Sequence, residues 1–235
     1  MALESGLEVK TINVNYGQTY YDKEFEHIKS LSTLIEDLYP ESWKNHLEVD
    51  VSSLNSNLKR RFKGEWKHIF PFRNYIILEE AAKHIENKYS EIWFGCVQGE
   101  IPFSGGDKSA IFLTTMKETL GSRDIQLVLP LVAMNKSDIL NWAVNEKETR
   151  FNIVCHTISC FNGEGTNHCG ECKSCFNRAV AFHSAGMVNK CGFKPQKESL
   201  RPLVESYKKK LKEFDHYSPI RRKQINNFIN YIENL

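Results

Sequence analysis

Four cysteines fall within sixteen residues, Cys160, Cys169, Cys172 and Cys175, and no other feature restricts the fold of this chain so tightly. A divalent zinc ion takes four soft or borderline ligands in a tetrahedron, and a C-x-x-C turn aims two sulfurs at one ion. Gly163, Gly165 and Gly170 supply the backbone freedom that such a knuckle needs. Packing these thiols into a core is the competing reading, but residues 162–168 are too polar to line one. An iron–sulfur cluster is the chemical rival. Its ferredoxin-type runs continue to a further Cys-Pro, whereas Phe176-Asn177-Arg178 follows here, so zinc is the expected metal. Four thiolates close the coordination shell, which marks the site as structural rather than catalytic. His156 and His168 are alternative ligands but are expected to be structural or exposed, and Cys96, Cys155 and Cys191 are expected to pack as lone thiols.

The rest of the chain reads as an ordinary folded protein. With 235 residues it is long enough to build its own core, and seven cysteines, an odd number, favour reduced thiols over a disulfide scaffold. No stretch approaches the ~18 apolar residues of a membrane helix, and the N-terminus has no signal-peptide pattern; a cytoplasmic location is expected. Ile12, Val14 and Tyr16 alternate as in a half-buried strand, and Phe25, Ile28, Leu31, Leu34, Ile35 and Leu38 repeat at helical spacing up to Pro40. Leu47, Val49 and Val51 predict a second strand, residues 55–72 a polar, basic connection, and residues 74–89 a helix. Residues 92–97 and 125–129 are nearly continuous apolar runs, the mark of strands covered on both faces. Ser137 is expected to cap a helix beginning at Asp138. Strands alternating with helices predict an α/β fold with a parallel sheet.

The tail differs in charge. Residues 194–235 hold ten Lys or Arg against five Asp or Glu, a net +5 that leaves −3 of the overall +2 to residues 1–193. Ser218-Pro219 announces a helix whose Ile225, Phe228, Ile229 and Ile232 share one face, so a helical hairpin appended to the α/β body is expected. That apolar face suits a dimer contact. Lys208-Lys209-Lys210 reads first as a solvated helix face and second as a site for a tRNA or protein partner. The expected division is an α/β, nucleotide-binding-like domain over 1–150, a zinc-binding module over 151–193 and a helical extension over 194–235.

The segment Ser159-Cys160 … Cys169-Gly170-x-Cys172-x-Ser174-Cys175-x-x-Arg178-x-x-Ala181-Phe182 closely resembles the C-terminal zinc signature of the 7-cyano-7-deazaguanine synthase family. Other pieces fall in that family's order: Tyr16-Gly17-Gln18 after a strand, Pro71-x-Arg73-Asn74 before a helix, Val97 to Phe112 on the substrate loop, and Pro130-Leu131 with Lys136 and Ile139. The resemblance spans roughly residues 5–192 and implies a Rossmann-like parallel sheet of the ATP-pyrophosphatase, adenine-nucleotide alpha-hydrolase type. It implies an ATP-dependent C–N ligase chemistry that activates the carboxylate of 7-carboxy-7-deazaguanine and converts it with ammonia, through an amide, to the nitrile, a step towards queuosine. On that resemblance Tyr16, Gly17, Gln18, Arg73 and Asn74 line the nucleotide side. Asp107, Phe112, Lys136 and Arg178 face the deazapurine, Glu100 matches a further substrate-loop position, and Cys160, Cys169, Cys172 and Cys175 hold zinc. Structural readings stay open beside these: an ion pair for Arg73 and Arg178, a helix cap for Asn74, a simple turn for Gly17.

The sequence departs from the family at defined places. The family's S-G-G-x-D-S pyrophosphate loop lies between its first strand and first helix, and this chain reads as starting after it. Ser104-Gly105-Gly106-Asp107-Lys108-Ser109 has one residue fewer before the acid and reads as a substrate or surface turn. Ile101 stands where an acid is expected, Lys108-Ser109 replaces a Cys-Arg pair, and Tyr20 replaces a His. These departures bear on the ATP step and define a second reading. In it the chain is a degenerate or repurposed relative that does not hydrolyse ATP and binds a protein, nucleotide or tRNA partner in a defence or modification system.

Overall fold

The computed structural model describes residues 1–54, 72–85, 88–98, 108–146, 148–162, 167–188, 190, 197–213 and 217–235. Residues 55–71 of the expected connection over 55–72, Glu100, residues 104–107 of the turn over 104–109 with Asp107, and Cys191 lie outside the described residues. The chain divides into two compact units, one formed by Met1–Cys96 with Ile101–Pro130, the other by Val97–Glu100 with Leu131–Leu235.

In the first unit, strand β1 (Val9–Asn15) leads into helix α1 (Tyr21–Leu38), and β2 (Trp43–Asp50) returns parallel to β1. The alternation of Ile12 and Val14 and the helical repeat from Phe25 produce these elements as expected. The chain leaves α1 at Tyr39, whose N–H still bonds the Ile35 carbonyl, and Pro40 stops the next turn. Helix α2 (Arg73–Lys83) ends six residues before the expected limit of 89. Strand β3 (Glu91–Trp93), helix α3 (Ala110–Gly121) and strand β4 (Gln126–Val128) follow, with β3 and β4 paired in parallel. Leu78 and Ala82 of α2, Met116 and Leu120 of α3, and Ile125 and Leu127 form this unit's core.

Strand β3 is shorter than its apolar run. Only Glu91–Trp93 is strand, and Trp93 is 39% exposed, so the expectation of a strand covered on both faces over 92–97 is corrected. Among the described residues β3 has β4 as its one neighbour, so one edge alone holds it extended.

The second unit is helical: α4 (Lys136–Glu146), α5 (Glu148–Cys155), α6 (Lys173–Ser184), α7 (Lys197–Glu213) and α8 (Pro219–Glu233). Asn135, not Ser137, caps α4. Its Oδ1 accepts the N–H groups of Ser137 and Asp138 at 3.0 and 3.2 Å, and Asp138 Oδ2 accepts the Asn135 N–H at 2.9 Å. This reciprocal box satisfies donors that a serine inside the first turn would leave orphaned. Ser218 caps α8 as expected, accepting the Arg221 N–H at 3.3 Å.

The tail is not an appendage. Ile225, Phe228, Ile229 and Ile232 of α8 join Leu200, Val204, Tyr207 and Leu211 of α7 in one core with Phe176, Ala179 and Val180 of α6 and with Cys160 and Cys175. The apolar face that suited a dimer contact is therefore used within the chain. Residues 131–150 also belong to this unit through α4, whose Asn135 and Ser137 accept hydrogen bonds from Gln224 of α8 at 3.3 and 2.8 Å. The basic run lies on a paired helix face: Lys208 bonds Glu205 and Glu233, Lys209 meets Glu213 at 3.8 Å, and Lys210 sits over the Tyr207 ring.

Candidate functional site

The four cysteines converge. Their sulfurs all lie within 4.8 Å of one another, with Cys169 and Cys175 at 3.9 Å. Zinc–sulfur bonds of about 2.3 Å place tetrahedral sulfurs roughly 3.8 Å apart, so the thiols fit one zinc ion with little adjustment. The chain's local folding makes this possible. Gly170 adopts φ 76°, a left-handed conformation that turns the chain between Cys169 and Cys172. Cys172 then occupies the N-cap of α6, and its sulfur accepts the Cys175 N–H at 3.4 Å, while Cys160 accepts the Cys169 N–H at 3.2 Å. N–H donors facing sulfur favour the thiolate that a metal requires. Hydrogen bonding from Cys175 holds the Cys172 thiol well below its ordinary range and correspondingly raises Cys175, the pattern of thiols sharing protons where a cation would replace them. His168 Nδ1 is 3.8 Å from the Cys175 sulfur, beside the set rather than within it. Cys160 and Cys175 are buried in the core that α7 and α8 complete. Four thiols with no open position have the make-up of a structural rather than a catalytic metal site.

Two other expectations for the cysteines have different outcomes. Cys96 packs as a buried thiol outside any disulfide, as expected. Cys155 is disulfide-bonded, which corrects its reading as a lone thiol.

In the first unit the residues expected on the nucleotide side form a polar cluster at the carboxyl end of β1. Gly17 turns the chain at φ 79°, with its N–H on Asn15 Oδ1 at 2.9 Å. Gln18 is fully engaged in this turn: Oε1 accepts the Tyr16 N–H at 3.0 Å, and Nε2 donates to the Val14 carbonyl and to Glu24 Oε2 at 3.3 and 3.2 Å. Tyr16 and Tyr20 are buried with their hydroxyls 3.1 Å apart. Burial pushes the Tyr16 phenol far above its usual range, against the Arg73 cation, so it remains a protonated donor. Burial likewise raises Glu24, opposed by Gln18 and Arg73. Arg73 donates from Nε to Asn74 Oδ1 at 3.3 Å. Asn74 lies inside the first turn of α2 at 3% exposure, and Phe72 holds the N-cap position, so Asn74 is not a helix cap.

Glu24 is the member that sequence reasoning missed. It lies in the first turn of α1, where an acid is ordinary, and only its distance to Gln18 reveals its part.

The substrate-side residues divide between the units. Phe112, in the first unit, packs half-buried against the core of α2 and α3. Asp107 lies outside the described residues. In the second unit Lys136 opens α4 and is exposed. Arg178 is buried there: it donates to Thr157 Oγ1 at 3.1 Å, Ser159 Oγ at 3.4 Å and the Val154 carbonyl at 3.4 Å, and its guanidinium lies over the Phe182 ring. Burial lowers it to about 10. Its Nε is buried without a hydrogen-bond partner among the described residues.

Fold and site together define an α/β protein with parallel strands whose helical unit carries a cluster of four cysteines that could hold a metal ion. The family described as "Queuosine biosynthesis protein QueC" matches residues 1–186, and the chain belongs to that family. Similar proteins include three named 7-cyano-7-deazaguanine synthase. That of Methanococcus vannielii is 26% identical over 213 residues, covering 80% of this chain and 89% of its own. That of Nitratiruptor sp. is 29% identical over 217 residues, covering 83% and 91%. That of Staphylococcus epidermidis is 28% identical over 197 residues, covering 73% and 79%. Within the described residues, no helix is long and apolar enough to cross a membrane.

Proposed function

We propose that the protein is a cytoplasmic 7-cyano-7-deazaguanine synthase, acting in the ATP-dependent conversion of 7-carboxy-7-deazaguanine and ammonia to the nitrile. One observation carries this reading: the family match runs through both the Tyr16–Arg73 cluster and the four-thiolate centre. A carboxylate is a poor electrophile, and transfer of an adenylyl group turns its oxygen into a leaving group that ammonia displaces. The amide oxygen is then adenylated by a second ATP, with release of pyrophosphate, and leaves as AMP while the nitrogen gives up its two protons, which forms the nitrile.

The roles follow from chemistry at each position. The first unit is Rossmann-like, and ligands of such sheets bind at the carboxyl ends of the strands, where the Tyr16 cluster lies. Arg73 is the cation there, its charge acting on both Tyr16 and Glu24, and with Asn74 it faces the nucleotide. Gly17 and Gln18 shape the turn that presents Tyr16. Asp107 hydrogen-bonds the guanine-like edge, Phe112 borders the substrate side, and Lys136 and Arg178 offset carboxylate or phosphate charge. Zinc on Cys160, Cys169, Cys172 and Cys175 holds the second unit together and takes no part in a chemical step.

The test is pyrophosphate release from ATP. Release that requires both 7-carboxy-7-deazaguanine and ammonia, and that falls at least tenfold in Arg73→Met, is the expected result. No turnover, together with no ATP binding by calorimetry, overturns the reading.

A further inference from the structure

Helices α7 and α8 lie beyond residues 1–186, the span that the family model matches, yet α8 reaches back to the turn that carries Lys136. Gln224 donates from Nε2 to Ser137 Oγ at 2.8 Å and to Asn135 Oδ1 at 3.3 Å. The Ser137 hydroxyl donates in turn to Asn135 Oδ1 at 2.5 Å. A directed relay therefore runs from the Gln224 amide through the serine hydroxyl to the asparagine carbonyl, each bond polarising the next. The two residues that flank Lys136 are both tied to α8.

Both ends of this brace are anchored. Gln224 precedes Ile225, which is fully buried in the core of α6, α7 and α8, and one turn earlier Arg221 donates to Asn177 Oδ1 of α6 at 2.6 Å. Ser137 is buried as well. The Met134 carbonyl, next to the relay, accepts the Gln98 N–H at 3.0 Å, so the start of the expected substrate loop hangs on the same turn. Capping does not require Gln224, because the reciprocal bonds of Asn135 and Asp138 already serve the first turn of α4. What α8 adds is a fixed position for the turn. Lys136 is exposed, and a lysine is a point charge on a flexible four-carbon stem, so its backbone is the part the fold can place.

We propose that Gln224 is a positioning residue for Lys136: through Ser137 and Asn135, α8 sets where the Lys136 ammonium meets the carboxylate of the deazapurine. The inference rests on the synthase reading above and gives the C-terminal helices a part in recognising the acidic substrate rather than ATP. Gln224 touches no substrate itself; it acts by limiting where the Lys136 backbone can go, and small displacements of a binding charge are costly.

Steady-state pyrophosphate release by Gln224→Met in the full chain tests this, since methionine keeps the length of the side chain and removes both donated bonds. The expected result is a KM for 7-carboxy-7-deazaguanine raised about fivefold or more, with the KM for ATP within about twofold of the parent and the melting temperature within a few degrees. Ser137→Ala breaks the relay at its middle without touching α8; it should give the same rise, and it decides the outcome if Gln224→Met folds poorly. In a Lys136→Ala background Gln224→Met should add less than about twofold, because two changes that act through one charge do not add. An unchanged KM for the deazapurine, an equal rise for ATP, or a rise that persists in full in Lys136→Ala would each overturn the inference and leave the synthase reading in place. A parent protein that releases no pyrophosphate overturns that reading, and this inference with it.

Discussion

Phe228 lies fifty-three positions beyond Cys175, the last cysteine of the cluster, yet its removal should loosen the zinc we propose there. The side chain is fully buried on α8, with its ring edge-on to Phe176 at 5.4 Å and to His183 at 5.6 Å. Phe176 stacks in turn on Tyr207 at 4.2 Å, and the cluster reaches Cys160 and Cys175. Truncating a buried phenylalanine to alanine costs about 3–5 kcal/mol through lost transfer free energy and the cavity left behind. Rings hold Phe228 on two sides, which limits collapse, so about 4 kcal/mol is expected for Phe228→Ala. With a urea dependence of roughly 2 kcal/mol per molar, the unfolding midpoint of this unit should fall by about 2 M. A colour-forming chelator reports zinc release during the same urea titration, and the metal should leave at the lowered midpoint because binding is coupled to folding. Lys208→Ala is the control; it removes only partly exposed ion pairs and should change stability by less than about 1 kcal/mol. Zinc release at an unchanged urea concentration in Phe228→Ala would refute the assignment of the tail to the metal-bearing core.

Further expectations follow from single groups. Burial lowers His183 below its ordinary 6.5, so the stability tied to its neutral ring is complete above that value and lost as pH falls through the lowered one. Thermal melts of the second unit should weaken from pH 7 to pH 5, and His183→Phe should flatten that slope. Glu24 is shifted the other way: burial raises its carboxyl above 4.5, so stability is complete below that value and declines as pH rises through the raised one. Glu24→Gln should therefore gain stability relative to the parent between pH 4 and pH 7, measured by the same melts. Asn135→Ala removes the cap of α4 and should cost about 1 kcal/mol in urea titrations, more if the link to Gln224 is lost with it. Phe72 adopts φ 60° at 71% exposure, and Phe72→Gly should leave the melting temperature equal or higher by relieving a left-handed strain of roughly 1–2 kcal/mol.

What could be read from sequence was whatever a single segment decides. The period of Phe25 to Leu38, the alternation of Ile12 and Val14, and the spacing of the four cysteines each act locally, and each has its expected counterpart in α1, β1 and the thiol cluster. Asn135 was overlooked as a cap because Asn and Ser compete for the same place, and only the reciprocal bond from Asp138 decides between them. Glu24 looked like any acid in a first helical turn until the chain brought Gln18 against it. The tail showed its apolar face but not its partner, since a helical period says that a face is buried and not against what. The run at Ile92 promised a central strand and yielded a short one, because strand length depends on neighbours the run does not encode.

The central claim concerns the fate of one carboxylate, and isotope-labelled ammonia follows it directly. The protein would be incubated with ATP, 7-carboxy-7-deazaguanine and ¹⁵N-ammonia, and the deazapurine recovered for mass spectrometry. The account predicts a nitrile carrying a single ¹⁵N. Recovery of the carboxylate unchanged, from protein whose zinc site is filled, would contradict it.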